Sequence, residues 1–379
     1  MYPFPVSFRH LERMTDGTGL LEHCLGRIPR RKEGYTTDDN ARALWVCVEW
    51  FELVSAAEQG ELFKEGLVKE KLLDLIDRYL AFLLWVQRDD GSFHNNIGYN
   101  RTPEPEEPSD DCLGRTLWAC AVASVKLSDA ERRIAAEEMF VKGIEQSKTM
   151  KFPRGWAYAL AACSLLLQNA EDSGRPTGRF YRFIRNFLPD YVTLFESKLV
   201  SLYQKNAGSD WSWFEPVMTY GNGVLPWSLF HANKVTERQD TLEIAKESLH
   251  FLIEKMTDDQ GVIRPIGNRG WCTQKNRSDW DQQPLEVMKL ALASAEGYLA
   301  LGEPSYLQVL EKCRGWFHGE NDLHISLANP EEGSCCDGLT PEGPNLNQGA
   351  ESTLSYLLTE AIYRNIELEA DSHVCIGEQ

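Results

Sequence analysis

Residues 33–50 read EGYTTDDNARALWVCVEW: two aspartates, an asparagine and an arginine stand at the head of a run that is apolar on nearly every helical face. A helix hydrophobic all round is buried all round. Its first turn wants one capping side chain and favours acids, because the unpaired N–H groups and the helix dipole make that end positive. One of Asp38 and Asp39 can serve as the cap. The other acid, with Asn40 and Arg42, is surplus to folding and free to meet a ligand.

Five more runs share this buried character: CLGRTLWACAVASV (112–125), GWAYALAACSLLL (155–167), GVLPWSLFHA (223–232), PLEVMKLALASAEGYLAL (284–301) and GAESTLSYLLTEAI (349–362). Between them lie segments with one apolar stripe and a charged back, such as VKEKLLDLIDRYLAFLLWV (68–86) and TLEIAKESLHFLIEKM (241–256), and a short one, VSFRHLERM (6–14), begins the chain. The alternation predicts six helical hairpins, an inner ring wrapped by an outer ring: an all-α (α/α)6 toroid. Inner helices are expected to start near residues 37, 110, 153, 221, 284 and 348, a loose repeat. Strand is expected only in loop pieces such as GSFHNNIGY. With no Pro-, Gly- or Ser-rich linker, residues 1–379 read as one domain.

Most links from an outer helix to the next inner one are long and rich in Gly, Asp, Asn and Trp. In a closed ring they emerge on one face, and long loops on a rigid scaffold are usually functional. That face collects Asp38, Asp39, Asn40 and Arg42; then Asp110, Asp111 and Arg115 from PSDDCLGR; then Arg154 and Trp156 from FPRGWAY. DWSWFEPVMTYGNG adds Trp213, Glu215, Tyr220 and Asn222. GNRGWCTQKNRSDWDQQPLE adds Asn268, Trp271, Trp280, Asp281, Gln282 and Glu286, and NLNQGAES adds Asn347, Gln348 and Glu351.

Carboxylates, amides, arginines and indoles around one bowl suit a saccharide: hydroxyls take paired donors and acceptors, and a pyranose face stacks on tryptophan. Glycosidic cleavage needs two carboxyl groups, one protonated and one ionised. Glu215, between Trp213–Phe214 and Pro216, is expected to be the general acid, since apolar surroundings raise a carboxyl pKa. Asp39, Asp111 or Asp281 is expected to be the base. For each acid alone, capping or pairing with an arginine is the plainer role. A sugar-binding module without turnover would keep the amides and indoles but need no carboxyl pair. An epimerase or phosphorylase is a further possibility, with His94 and His231 the histidines near the inner ring. FLLWVQRDDGSF resembles the Q-W-type repeat of terpene cyclases, but a rim so polar is costly beside an apolar ligand.

The net charge of −18 argues against nucleic acid, whose phosphates demand a basic footprint. The one basic cluster, RIPRRKEG (27–34), reads as a solvated loop or a contact for an anionic sugar or phosphate. No apolar run is long enough to span a membrane, and the first residues do not form a signal peptide. Of ten cysteines, Cys47, Cys120 and Cys163 lie inside buried helices, the pattern of reduced, core-filling thiols and of a cytoplasmic protein. Cys335 and Cys336 lack zinc-site spacing, so no metal or cofactor is expected.

The six-hairpin alternation with acids at the inner heads resembles the (α/α)6 toroids of the six-hairpin glycosidase superfamily. More narrowly, HLERMTDGTGLLEHCLGRIPRRKEGYTTDDNARAL (10–44) resembles a family of bacterial proteins found alone or appended to family-4-type glycosyltransferase domains. That resemblance implies an oligosaccharide or glycoside, mannosides among them, and a glycosyltransferase working in the same pathway. No nucleotide-sugar-binding βαβ unit is legible, so transfer chemistry is expected to belong to the fused domain.

Overall fold

The computed structural model describes residues 6–56, 69–105, 108–172 and 178–377. Six inner helices, α2 (Thr37–Ala56), α4 (Asp110–Lys126), α6 (Pro153–Asp172), α8 (Val224–Thr236), α10 (Pro284–Leu301) and α12 (Ala350–Gly377), pack each on the next, and α12 returns to α2 to close the ring. Outside them lie α1 (Arg9–Met14), α3 (Lys69–Val86), α5 (Ala130–Ile144), α7 (Arg179–Asn206), α9 (Gln239–Lys255) and α11 (Pro304–Phe317). The chain is an (α/α)6 toroid. Four inner helices begin where the sequence places them, whereas α8 and α12 start slightly late. At α8 the cause is Gly221, whose φ of 60° holds the chain in a left-handed turn that a right-handed helix cannot include.

The ring axis is a solid core. Trp118 and Trp227 meet edge to face with centroids 4.5 Å apart, Trp45 joins Trp118 at 5.4 Å, and Tyr158 packs on Trp227 at 5.9 Å. His231 lies against the same tryptophans, and burial pushes its pKa down to about 4. It belongs to the axis filling and does not reach the face where inner helices start.

Strand among the described residues is limited to two-stranded pieces in the links. One joins Tyr35–Thr36 to Asn96–Ile97 and clamps the segments that lead into α2 and α4. The residues of the Q-W-like stretch form a tight turn closing α3: Gln87 Nε2 donates to the Gly91 and Met139 carbonyls, and Gln87 bridges Phe93. The same turn recurs after α9, where Thr257 bridges Ile263. The motif is a device of the hairpin repeat.

The nine cysteines from Cys24 to Cys336 are buried and form no disulfide. No described helix is long and apolar enough to cross a membrane, and no described group of three metal-ligating side chains assembles.

Candidate active site at the inner-helix heads

Capping is done by neighbours of the aspartate pairs. Thr36 Oγ1 accepts from the Asp39 N–H at 3.2 Å, and Ser109 Oγ accepts from the Cys112 N–H at 3.2 Å. The expectation that one acid of each pair caps its own helix is therefore corrected. Asp110 instead serves the next helix, where its Oδ2 accepts from the Lys151 and Phe152 N–H groups at 2.6 and 2.8 Å, ahead of α6. Asp38, Asp39 and Asp111 remain for other work.

Those three acids gather over two buried arginines. Arg42 holds Asp39 through Nη1 at 2.6 Å and Glu351 through Nη2 at 2.9 Å. Arg115 holds Asp38 through Nη1 at 2.6 Å and Asp111 through Nη2 at 3.2 Å. Each guanidinium thus bridges two carboxylates, so the members of a pair lie within one guanidinium's reach. Tyr220 donates its hydroxyl to Asp111 Oδ2 at 2.9 Å. Burial raises the Asp39 carboxyl to about 6; Arg42 opposes that shift, and Glu351 and Glu22 add to it.

These groups line a cleft of about 850 Å³ at the mouth of the ring, with Asp110, Asn268, Trp271, Asn95, Asn96, Gln283, Phe152, His23 and Asp337 among its walls. Three aromatic surfaces face it: Trp271, Tyr220 and Phe152. Trp271 has a φ of 60°, unusual for a bulky residue and costing on the order of 1–3 kcal/mol, which the surrounding loop must offset. The Tyr220 ring is backed by the Arg154 guanidinium at 4.7 Å. A second, larger groove of about 1100 Å³ lies on the outer wall between α5 and α7, lined by Phe180, Phe183 and Phe187, away from the inner heads.

Several residues expected in the bowl are employed elsewhere. Glu215 does not line the cleft: its Oε2 pairs with Arg154 Nη1 at 2.9 Å, so the apolar setting that suggested a general acid is replaced by an ion pair. Arg154 is thereby committed to Glu215, to Thr219 Oγ1 at 2.9 Å and to the Tyr220 carbonyl. Asn40 is fully buried and ties down the preceding loop, accepting from the Leu20 N–H at 2.8 Å and donating to the Thr36 carbonyl at 2.7 Å. Glu286 is buried under α8, where its carboxylate accepts from the Gly221 N–H and from Asn222 Nδ2 at 2.9 Å. Gln282 is buried too, donating to Asp322 Oδ2 at 2.5 Å.

Among the tryptophans, Trp213 is in the core beside Phe214 and Phe251. Trp156 donates to the Met150 carbonyl at 2.9 Å and faces Lys198. Trp280 packs on the core from outside the cleft. Asp281 pairs with Arg269 at 3.3 Å, also outside the cleft. Asn347 Oδ1 accepts from the Gly26 N–H at 3.0 Å, and the Gln348 carbonyl accepts from His10 at 2.8 Å. Both hold the first loop against the head of α12.

His23, Asp337 and Phe152 were missed. His23 pairs with Glu22 at 3.3 Å; the hydrogen bond to Glu22 raises its pKa, with burial opposing and Asp39 and Asp337 assisting. Asp337 follows the cysteine pair that drew attention as a metal motif, and its Oδ1 accepts from the Gly349 N–H at 2.7 Å. His23 lies inside the distinctive segment 10–44, which was the available signal.

The twelve helices among the described residues form a closed double ring with a polar cleft at the inner-helix heads, an (α/α)6 toroid. Particular solved structures share it along nearly the whole chain. A cellobiose 2-epimerase from Bacillus thermoamylovorans superposes with a TM-score of 0.69 at 11% identity, covering 96% of each chain. A cellobiose 2-epimerase from Spirochaeta thermophila gives 0.66 at 14%, covering 97% of this chain and 95% of that one. A GH76 alpha-mannanase from Bacteroides thetaiotaomicron gives 0.55 at 13%, covering 88% of each. At such identities the likeness is one of fold. No protein-family model and no curated protein sequence matches the chain.

Proposed function

We propose that the protein is a carbohydrate-active enzyme, a glycoside hydrolase that cleaves an oligosaccharide, with mannosides among its candidate substrates, by carboxylate acid–base catalysis. The observation that carries this reading is the quartet Asp38, Asp39, Asp111 and Glu351 held over Arg42 and Arg115 in one cleft. Asp39 is assigned as general acid. It is buried, and its carboxyl, raised to about 6, carries a proton in a useful fraction of molecules near neutrality. Asp111, oriented by Arg115 and Tyr220, is assigned as the base or nucleophile on the other side of the bond. Asp39 gives its proton to the departing glycosidic oxygen while Asp111 activates water or attacks the anomeric carbon. Trp271, Tyr220 and Phe152 offer stacking faces, and Asn268 offers an amide to the hydroxyls. The solved neighbours that bear sugar-enzyme names support the class.

A panel of aryl-glycosides and oligosaccharides, followed by product chromatography, tests the reading. Turnover is expected for wild type and for Glu215→Gln, and a loss of at least about a thousandfold for Asp39→Asn and Asp111→Asn. Full turnover in both aspartate variants would end the assignment.

His23 favours a second reading, a sugar epimerase or isomerase. It is a histidine in the cleft, paired with a carboxylate, and can move a proton at the carbon beside a reducing-end carbonyl. Deuterium entering that carbon from heavy water without glycosidic cleavage would select it. The partnership with a glycosyltransferase rests on the resemblance of residues 10–44; co-purification from a native host tests it.

A further inference from the structure

The basic stretch 27–34 is left unused by the cleft chemistry, yet it stands at the cleft's rim. Cys24–Leu25 pairs with Ile28–Pro29 as a short hairpin whose tip carries Gly26 and Arg27. From Cys24 to Lys32 the chain holds Arg27, Arg30, Arg31 and Lys32 and no acid, in a protein of net charge −18. Arg30 bonds Glu33 and Arg27 lies 4.0 Å from Glu332, while all four cations are exposed.

The aliphatic residues here are also exposed. Leu25 is 71% exposed and Ile28 64%, and Leu346 at 68% stands on the neighbouring link. The two links are tied, with Asn347 Oδ1 accepting from the Gly26 N–H at 3.0 Å and the Gly26 carbonyl accepting from the Gln348 N–H at 2.9 Å. The next most exposed large apolar side chain among the described residues is Phe152, at 64%, which lines the cleft on the same face. Single exposed aliphatics are ordinary, but the extremes of the molecule meeting beside one opening call for a partner.

We propose that this rim docks the mouth of the toroid onto an anionic lipid bilayer. A bilayer accepts both halves of the patch at once. Leu25, Ile28 and Leu346 partition among the acyl chains, while the cations settle at the level of the phosphates, Arg31 and Lys32 each contributing on the order of fivefold in affinity and Arg27 and Arg30 less, because Glu332 and Glu33 already face them. A second copy of the chain fits less well, since a two-fold contact sets the same cations against each other. The hairpin adjoins His23 and Glu22 of the cleft wall, so docking brings the opening to the lipid surface.

The test is co-sedimentation of the full chain with vesicles of phosphatidylcholine alone and of phosphatidylcholine mixed with phosphatidylglycerol. Binding is expected only to the mixed vesicles and is expected to fall as salt is raised. The double variant Leu25→Ser/Ile28→Ser and the double variant Arg31→Glu/Lys32→Glu are each expected to weaken it by on the order of tenfold or more. Their unchanged thermal melts would show that the exposed positions leave the fold intact. Absence of binding to mixed vesicles, or binding that both variants retain, overturns the proposal. So does sedimentation velocity showing a lipid-independent dimer that Leu25→Ser/Ile28→Ser disperses, which would assign the patch to a second copy.

Discussion

Asp39 shows how one carboxyl is set apart from its neighbours. Each of its oxygens accepts one hydrogen bond, from Thr36 Oγ1 at 2.8 Å and from Arg42, yet burial outweighs both and lifts its pKa from 3.8 to about 6. Between about pH 4 and 6 the native state therefore holds a proton that the unfolded chain has released. Stability from this group is complete below that window and is lost as pH rises through it, by about 3 kcal/mol at most. Denaturant titrations should show wild type losing that much relative to Asp39→Asn across the window, and parallel curves would refute the buried, raised carboxyl. Trp271 makes the complementary case, for strain. Relieving its positive φ with Trp271→Gly should hold or raise the melting temperature, while weakening saccharide binding at least about tenfold by calorimetry. A variant that loses stability instead would mean the indole is packing and not a platform.

At the scale of elements, the inner heads are laced one to the next. Glu351 with Arg42 joins α12 to α2, Asp38 with Arg115 joins α2 to α4, and Asp110 caps the approach to α6. Arg154 with Glu215 joins α6 to the link before α8, and Glu286 with Asn222 joins α10 to the turn that leads into α8. Much of the polarity read as ligand binding is this lacing, and at Glu286 it satisfies the buried N–H groups of Gly221 and Asn222 just ahead of α8. Glu286→Ala leaves several such donors orphaned, and should cost about 2–4 kcal/mol in chemical denaturation with the cleft acids untouched. Helix approach is equally exacting at Gly223, where a Cβ would strike the Lys289 carbonyl of α10. Gly223→Ala should push α8 and α10 apart and lower stability by about 1–3 kcal/mol, read as a lower denaturation midpoint.

The whole molecule depends on a ring that closes around a filled axis. Trp227 touches Trp118, Trp45 and Tyr158, residues contributed by three other inner helices, so Trp227→Ala should cost about 3–5 kcal/mol, measured by urea unfolding; a loss below 1 kcal/mol would mean the axis is not load-sharing. The ring itself was legible because all-round apolarity and one-sided apolarity are local properties, and their alternation over residues 37–362 leaves few other packings. The face that carries the cleft followed from the same reasoning, as did Asp38, Asp39, Arg42, Asp111, Arg115, Tyr220, Asn268, Trp271 and Glu351 on the cleft wall. The sequence could not separate these from Asn40, Trp213, Gln282 and Glu286, which have the same residue types at the same helix heads. Direction and partner choice decide between lining and lacing, and both depend on atoms brought from distant links. The chain alone thus determined the toroid and the face on which the acids at the inner-helix heads gather. Only the tertiary structure decided which acids are spare: a carboxylate's role is set by the donors around it, and those donors come from elements far away in sequence.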